Sequence, residues 1–171
     1  MEAKPKLRTA DVAFAIGANA KLFQQWLDRK QIKPENGYGG GWAEFTLRDV
    51  ATFAITWILV DLANIEVGQA FKYAADTIQI GVDDLKGKRF ERPGQQLYQG
   101  WDVMVALMAR NKKKPKQWKF WRLPRSGRLE GNGIVIDVFA IVKPAVERAL
   151  ERLQAKQDNL EPQPRRKLAR G

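Results

Sequence analysis

The sequence contains no cysteine and no histidine. The first absence removes disulfides, thiol nucleophiles and thiolate metal sites; the second removes the commonest general base and metal ligand. Most hydrolase and metalloenzyme mechanisms are thereby excluded, while carboxylate and lysine chemistry stay open. Long apolar runs are missing as well. The longest, residues 50–60, falls well short of the roughly 20 residues that span a bilayer, and the leading MEAKPKLRT has no apolar signal core. A soluble, cytoplasmic protein is the expectation. Catalytic constellations are also wanting. Asp83-Asp84 is an adjacent carboxylate pair without a partner motif, and GYGGG lacks the Gly-Lys-Ser/Thr of a phosphate-binding loop. No enzyme, cofactor, metal or small-molecule ligand is expected.

Positive charge is what the chain has in excess. Its 30 Lys/Arg against 19 Asp/Glu give a net charge of +11, which favours a polyanionic partner, nucleic acid ahead of an acidic membrane or protein surface. The surplus is C-terminal. Residues 1–80 hold nine basic and nine acidic side chains, whereas residues 81–171 hold 21 and ten. The 171 residues are enough for a small binding module and a second unit of similar size. The pattern divides them into residues 6–79, an accessory or dimerisation unit over 80–157, and a basic tail over 158–171 expected to be disordered.

From Leu7, LRTADVAFAIG predicts a short helix capped by Thr9, with Ala10, Ala13 and Phe14 on one face and Gly17 as its stop. Asn19 then caps a second helix, in which Leu22, Phe23, Trp26 and Leu27 form the apolar stripe and Lys21, Gln24, Gln25, Asp28 and Arg29 lie off it. Lys33-Pro34 ends the segment. PENGYGGGW, followed by Trp42-Ala43-Glu44-Phe45, predicts a glycine-rich hairpin. Thr46-Leu47-Arg48-Asp49 has the spacing of a capping box and opens a buried helix to about residue 64. Another helix is expected from Glu66 to about Ile78, with Val67, Ala70, Phe71, Ala74 and Ala75 inward and Gly81 opening a more polar stretch.

In the second half, Leu97, Trp101, Met104, Val105 and Met108 predict a helix over 96–109. Residues 118–123 and 133–139 predict two strands forming an antiparallel pair. A final helix is expected over 140–156, tolerating Pro144 in its first turn. Its Ile141, Ala145, Leu150 and Leu153 form an apolar face too short for a long coiled coil.

The stretches VAFAIGANAKLFQQWLDRKQIKP and GYGGGWAEFTLRDV resemble the winged helix-turn-helix of MerR-like regulators and the related excisionase-like proteins. Ala13, Gly17, Trp26, Ile32, Phe45, Thr46 and Asp49 stand where that family places its helix stop, aromatic, wing and capped helix. Gln24 or Gln25 replaces a common family Arg, and glycines replace its Arg-rich wing. The resemblance implies a mainly α fold with small β-hairpins, an N-terminal winged helix-turn-helix joined to a small α+β C-terminal unit. It also implies homodimerisation, and a double-stranded DNA partner.

A recognition helix needs polar side chains within reach of base edges. Gln pairs bidentately with adenine, and Lys or Arg meets guanine or phosphate. Lys21, Gln24, Gln25 and Arg29 are therefore the candidate readers. Tyr38 and the Gly39, Gly40 and Gly41 backbone are the candidate wing contacts, because a close backbone approach tolerates no side chain. Trp26 and Trp57 are assigned to the core by their aliphatic spacing. A second surface runs from 110 to 128 without an intervening acid: Arg110, Lys112, Lys113, Lys114, Lys116, Lys119, Arg122, Arg125 and Arg128, interleaved with Trp118, Phe120 and Trp121. It has the composition of a phosphate-neutralising patch. Arg165, Arg166, Lys167 and Arg170 would extend it as a mobile arm.

A DNA-binding transcriptional regulator is the reading these features favour. A phage-type recombination or packaging accessory, and a basic adaptor for an acidic protein, are the alternatives. A footprint confined to one promoter, against several phased sites near an attachment or packaging locus, separates the first from the second, and the adaptor predicts no steep salt dependence of DNA affinity.

Overall fold

Short local signals set the helix boundaries at the N-terminal end. The computed structural model describes residues 6–37, 44–85, 87–98, 103–109, 118–124 and 133–160; of these, 103–109, 118–124, 133–134 and 160 enter as backbone. Among the described residues the fold is mainly helical. Helix α1, Thr9–Ile16, ends on Gly17 at φ 70°, a left-handed conformation that costs glycine nothing. Its cap differs from expectation. Thr9 is already helical, and the Asp11 carboxylate takes the role by accepting the Arg8 backbone N–H at 2.8 Å.

Helix α2, Ala20–Asp28, starts on Asn19, whose Oδ1 accepts the N–H groups of Lys21 and Leu22 at 3.0 and 3.1 Å. That satisfies two of the four donors a helix start leaves open. Helix α3, Leu47–Ala63, opens on the reciprocal box of Thr46 and Asp49 and closes on Asn64 at φ 50°. Helix α4, Val67–Asp84, runs six residues beyond the expected Ile78. Gly81 stays inside it and is buried, because packing against a neighbour offsets the roughly 1 kcal/mol that helical glycine costs. The boundary expected near residue 80 thus falls within one continuous helix.

The second half departs further. Residues 95–97 form a single 3-10 turn, and Val103–Ala109 is strand β1 where a helix was expected. Strands β2, Trp118–Pro124, and β3, Gly133–Ile136, do not pair with each other. Both lie antiparallel to β1, in the order β2-β1-β3. Helical spacing of apolar residues over 97–108 misled because the same run, VMVALMA, is short and apolar on every position, and periodicity cannot then separate the two states.

Helix α5, Val138–Leu160, starts two residues before the expected position, with Asp137 Oδ1 accepting the Ala140 N–H at 3.1 Å. Pro144 consequently lies beyond the first turn, where it removes the intrahelical donor for the Ala140 carbonyl. The helix also reaches residue 160, past the expected start of the tail at 158.

Two apolar clusters share α3 and α5 as a common wall. One joins α3, α4, the 97–98 turn and the start of α5 through Ile55, Leu59, Ile78, Leu97, Val142 and Val146. The other is aromatic and joins α1, α2 and α3, with Ala145 and Ala149 of α5 closing it. Phe23 and Phe53 are fully buried there, their rings 5.3 Å apart, and each stabilises the fold by about 1.5–3 kcal/mol. Ile141 and Leu153 pack against this cluster and Leu150 against the first. Of the apolar α5 face read from the sequence, Ala145 is buried within the chain, and Ile141, Leu150 and Leu153 are half-buried. No helix among the described residues is long and apolar enough to cross a membrane.

Candidate nucleic-acid interface

Helix α2 divides cleanly by side. Phe23, Trp26 and Leu27 are buried, and the Trp26 indole lies 5.4 Å from that of Trp57. Leu22, expected in the same stripe, is 39% exposed. Opposite them, Lys21, Gln24, Asp28 and Arg29 are exposed and Gln25 is half-buried. The apolar side thus fixes the helix to α3 and leaves the polar side to solvent, which is the geometry a groove-entering helix requires.

Gln24 is held in place along this surface. Its Nε2 donates to Asp28 Oδ1 at 2.8 Å, which uses one of its two amide hydrogens. Asp28 also places one negative charge beside the candidate readers, and so penalises phosphate contact at that end of the helix. Lys21 stands in the first turn, beyond the Asn19 cap.

The segment leading to the expected wing is anchored at both ends. On the entering side Ile32 and Pro34 are buried, and Asp49 Oδ1 accepts the Glu35 backbone N–H at 2.7 Å. Thr46 Oγ1 donates to Glu35 Oε2 at 3.0 Å, and Arg48 lies 3.8 Å from Glu35 Oε1. On the returning side the Phe45 N–H donates to the Leu7 carbonyl at 3.2 Å in an isolated antiparallel bridge, and Lys6 pairs with Glu44. Burial pushes the Asp49 carboxyl above its ordinary value, a rise opposed by the Thr46 and Glu35 hydrogen bonds and reinforced by the Glu35 charge. Tyr38, Gly39, Gly40 and Gly41 themselves lie outside the described residues.

Most of the basic patch lies outside them too: Arg110, Lys112, Lys113, Lys114, Lys116, Arg125 and Arg128, together with the tail cations. Lys119 and Arg122 fall on β2, in register with Met108 and Val105 of β1.

Three cations that were not singled out from the sequence lie along α1. Arg148 Nε donates to the Ala15 carbonyl at 2.7 Å, the Arg152 guanidinium carbon is 4.0 Å from the Phe14 ring centroid, and Lys156 meets Asp11 and the Lys6 carbonyl. Their four-residue spacing in the sequence is the signal that places them on one face of α5. Phe14, expected inward with Ala10 and Ala13, is 50% exposed; the buried residues of α1 are Val12, Ala13, Ala15 and Ile16. The stripe is rotated because α1 is covered by α2 and α3 on one side and by α5 on another.

No protein-family model and no curated protein matches this chain.

Proposed function

We propose that this chain is a sequence-specific DNA-binding protein that acts as a transcriptional regulator. Its N-terminal part would be a winged helix-turn-helix of the MerR-like type. In this reading α1 and α2 are the paired helices, α2 is the recognition helix, and the segment between Gly37 and Glu44 is the wing. The observation that carries the reading is the two-sidedness of α2. A capped rod, locked by Phe23, Trp26 and Leu27, offers Lys21, Gln24 and Arg29 to solvent on a chain of net charge +11. Gln24 and Gln25 would read adenine edges, while Lys21 and Arg29 would meet guanine or phosphate. Tyr38 and the glycine amides at 39–41 would lie along the sugar-phosphate chain, and the 110–128 cations would supply sequence-independent attraction.

The test is recovery of fragmented genomic DNA on the purified full chain, followed by sequencing of the bound fragments. Enrichment of a common site upstream of one or a few genes is the expected result. Phased sites at a single attachment or packaging locus would instead assign the chain to recombination or packaging. Uniform recovery of all fragments would refute sequence-specific reading.

A further inference from the structure

We infer that Arg148 and Arg152 of α5 form a second DNA-backbone contact beside the recognition helix, with the Phe14 ring as the platform that orients Arg152. The inference rests on the DNA-binding reading above and extends its interface to the far end of the chain.

The geometry begins with α5, where Arg148, Arg152 and Lys156 follow one another every four residues and so share a face. That face runs along α1. Lys156 sits at the N-terminal end of α1, and its charge is met by Asp11. Arg148 sits at the opposite end, donating to the Ala15 carbonyl in the last turn, where a helix carries its partial negative charge. Arg152 lies between them over Phe14. Among the described residues neither arginine forms an ion pair.

The ring is as informative as the charges. A phenylalanine half exposed on a helix that buries four smaller apolar residues gains little from the core. A guanidinium stacked on its face, however, keeps its planar edge of N–H donors pointing away, in the orientation that pairs bidentately with a phosphate. Stacking also orders the side chain beforehand, which lowers the entropy lost on binding.

Position completes the argument. Phe14 and Ala15 immediately precede the Gly17 turn, and Lys21 opens the outward side of α2 seven residues after Phe14. When such a helix pair docks, the second helix enters the groove by its N-terminal end and the first crosses the backbone. The flank of α1 carrying these arginines is where that backbone passes. Residues 1–80 carry no net charge of their own, and Arg148 and Arg152 are brought against them from α5.

The test measures binding of the full chain to a short mixed-sequence duplex over a range of salt concentrations. Arg152 is exposed, so Arg152→Gln is expected to leave the melting temperature unchanged. It should bind roughly five-fold more weakly, with the salt slope reduced by about one. Arg152→Lys keeps the charge and should restore the slope with part of the affinity; Phe14→Ala should weaken binding with the slope intact. If Arg152→Gln matches the wild type in affinity and slope while Gln24→Ala with Gln25→Ala loses sequence discrimination, the inference is overturned and the DNA-binding reading stands. If the wild type shows no salt-dependent binding to the duplex, both fall.

Discussion

The Asp49 carboxylate accepts the Glu35 backbone N–H at 2.7 Å, tying the chain that enters the glycine-rich segment to the first turn of α3. Its second oxygen accepts the Thr46 N–H at 2.8 Å, so a single side chain caps the helix and holds the chain at Glu35 against it. Asp49→Asn puts an amide donor against one of these donors. It should cost about 1–3 kcal/mol, read as a lower denaturant midpoint at unchanged slope.

The same residue sets a pH dependence. Burial raises the folded carboxyl above its ordinary 3.8, so over the interval between the two values the folded state holds more protons than the unfolded one. The contribution of this group to stability is therefore fully present below 3.8 and lost as pH rises through the folded value. The stability gap between the wild type and Asp49→Asn should narrow across that interval, in denaturant titrations at a series of pH values.

Gly94 offers a second test of packing. It lies at φ 75°, and a β-carbon there would stand 2.8 Å from Val146 Cγ1 and 3.0 Å from Leu47 Cδ1. Gly94→Ala combines backbone strain with overpacking against α3 and α5, and should destabilise by about 1–3 kcal/mol. Gly37→Ala, with the same sign of φ and open space around it, should cost less.

The short helices around Gly17 and the capped start of α3 were legible in the sequence because each rests on local chemistry: Gly17, Asn19, and Thr46 with Asp49 act within four residues of themselves. The outward placement of Lys21 and Gln24 followed from one apolar stripe. What was not legible depends on contacts distant in sequence. The inward face of α1 is set partly by α5, through Arg148 some 133 residues away from Ala15. Gly81 reads as a stop until α4 is seen to bury it, and the strand state of 103–109 comes from pairing on both edges.

That dependence on α5 is testable directly. A chain ending at residue 137 loses Val142 and Val146 from one cluster and Ala145 and Ala149 from the other, each essentially inaccessible to solvent. It should melt without cooperativity and with exposed apolar surface, by near-ultraviolet circular dichroism and dye binding. A sharp transition near that of the full chain would show that the fold of residues 1–137 does not depend on α5.

Trp26 and Gln24, two residues apart on α2, should separate stability from recognition. Trp26→Ala removes a buried indole and its contact with Trp57 and should cost about 3–5 kcal/mol. Gln24→Ala, on the exposed side, should change stability by less than about 0.5 kcal/mol.

The outward side of α2 is addressed most directly by the ratio of affinities for a recovered genomic site and its scrambled counterpart. Gln24→Ala with Gln25→Ala should lower this ratio roughly ten-fold or more. Replacing Lys112, Lys113 and Lys114 by Ala should weaken both duplexes equally and flatten the salt slope, leaving the ratio intact. An unchanged ratio in the glutamine variant, with discrimination lost in the lysine variant, would contradict the assignment of α2 as the reading helix.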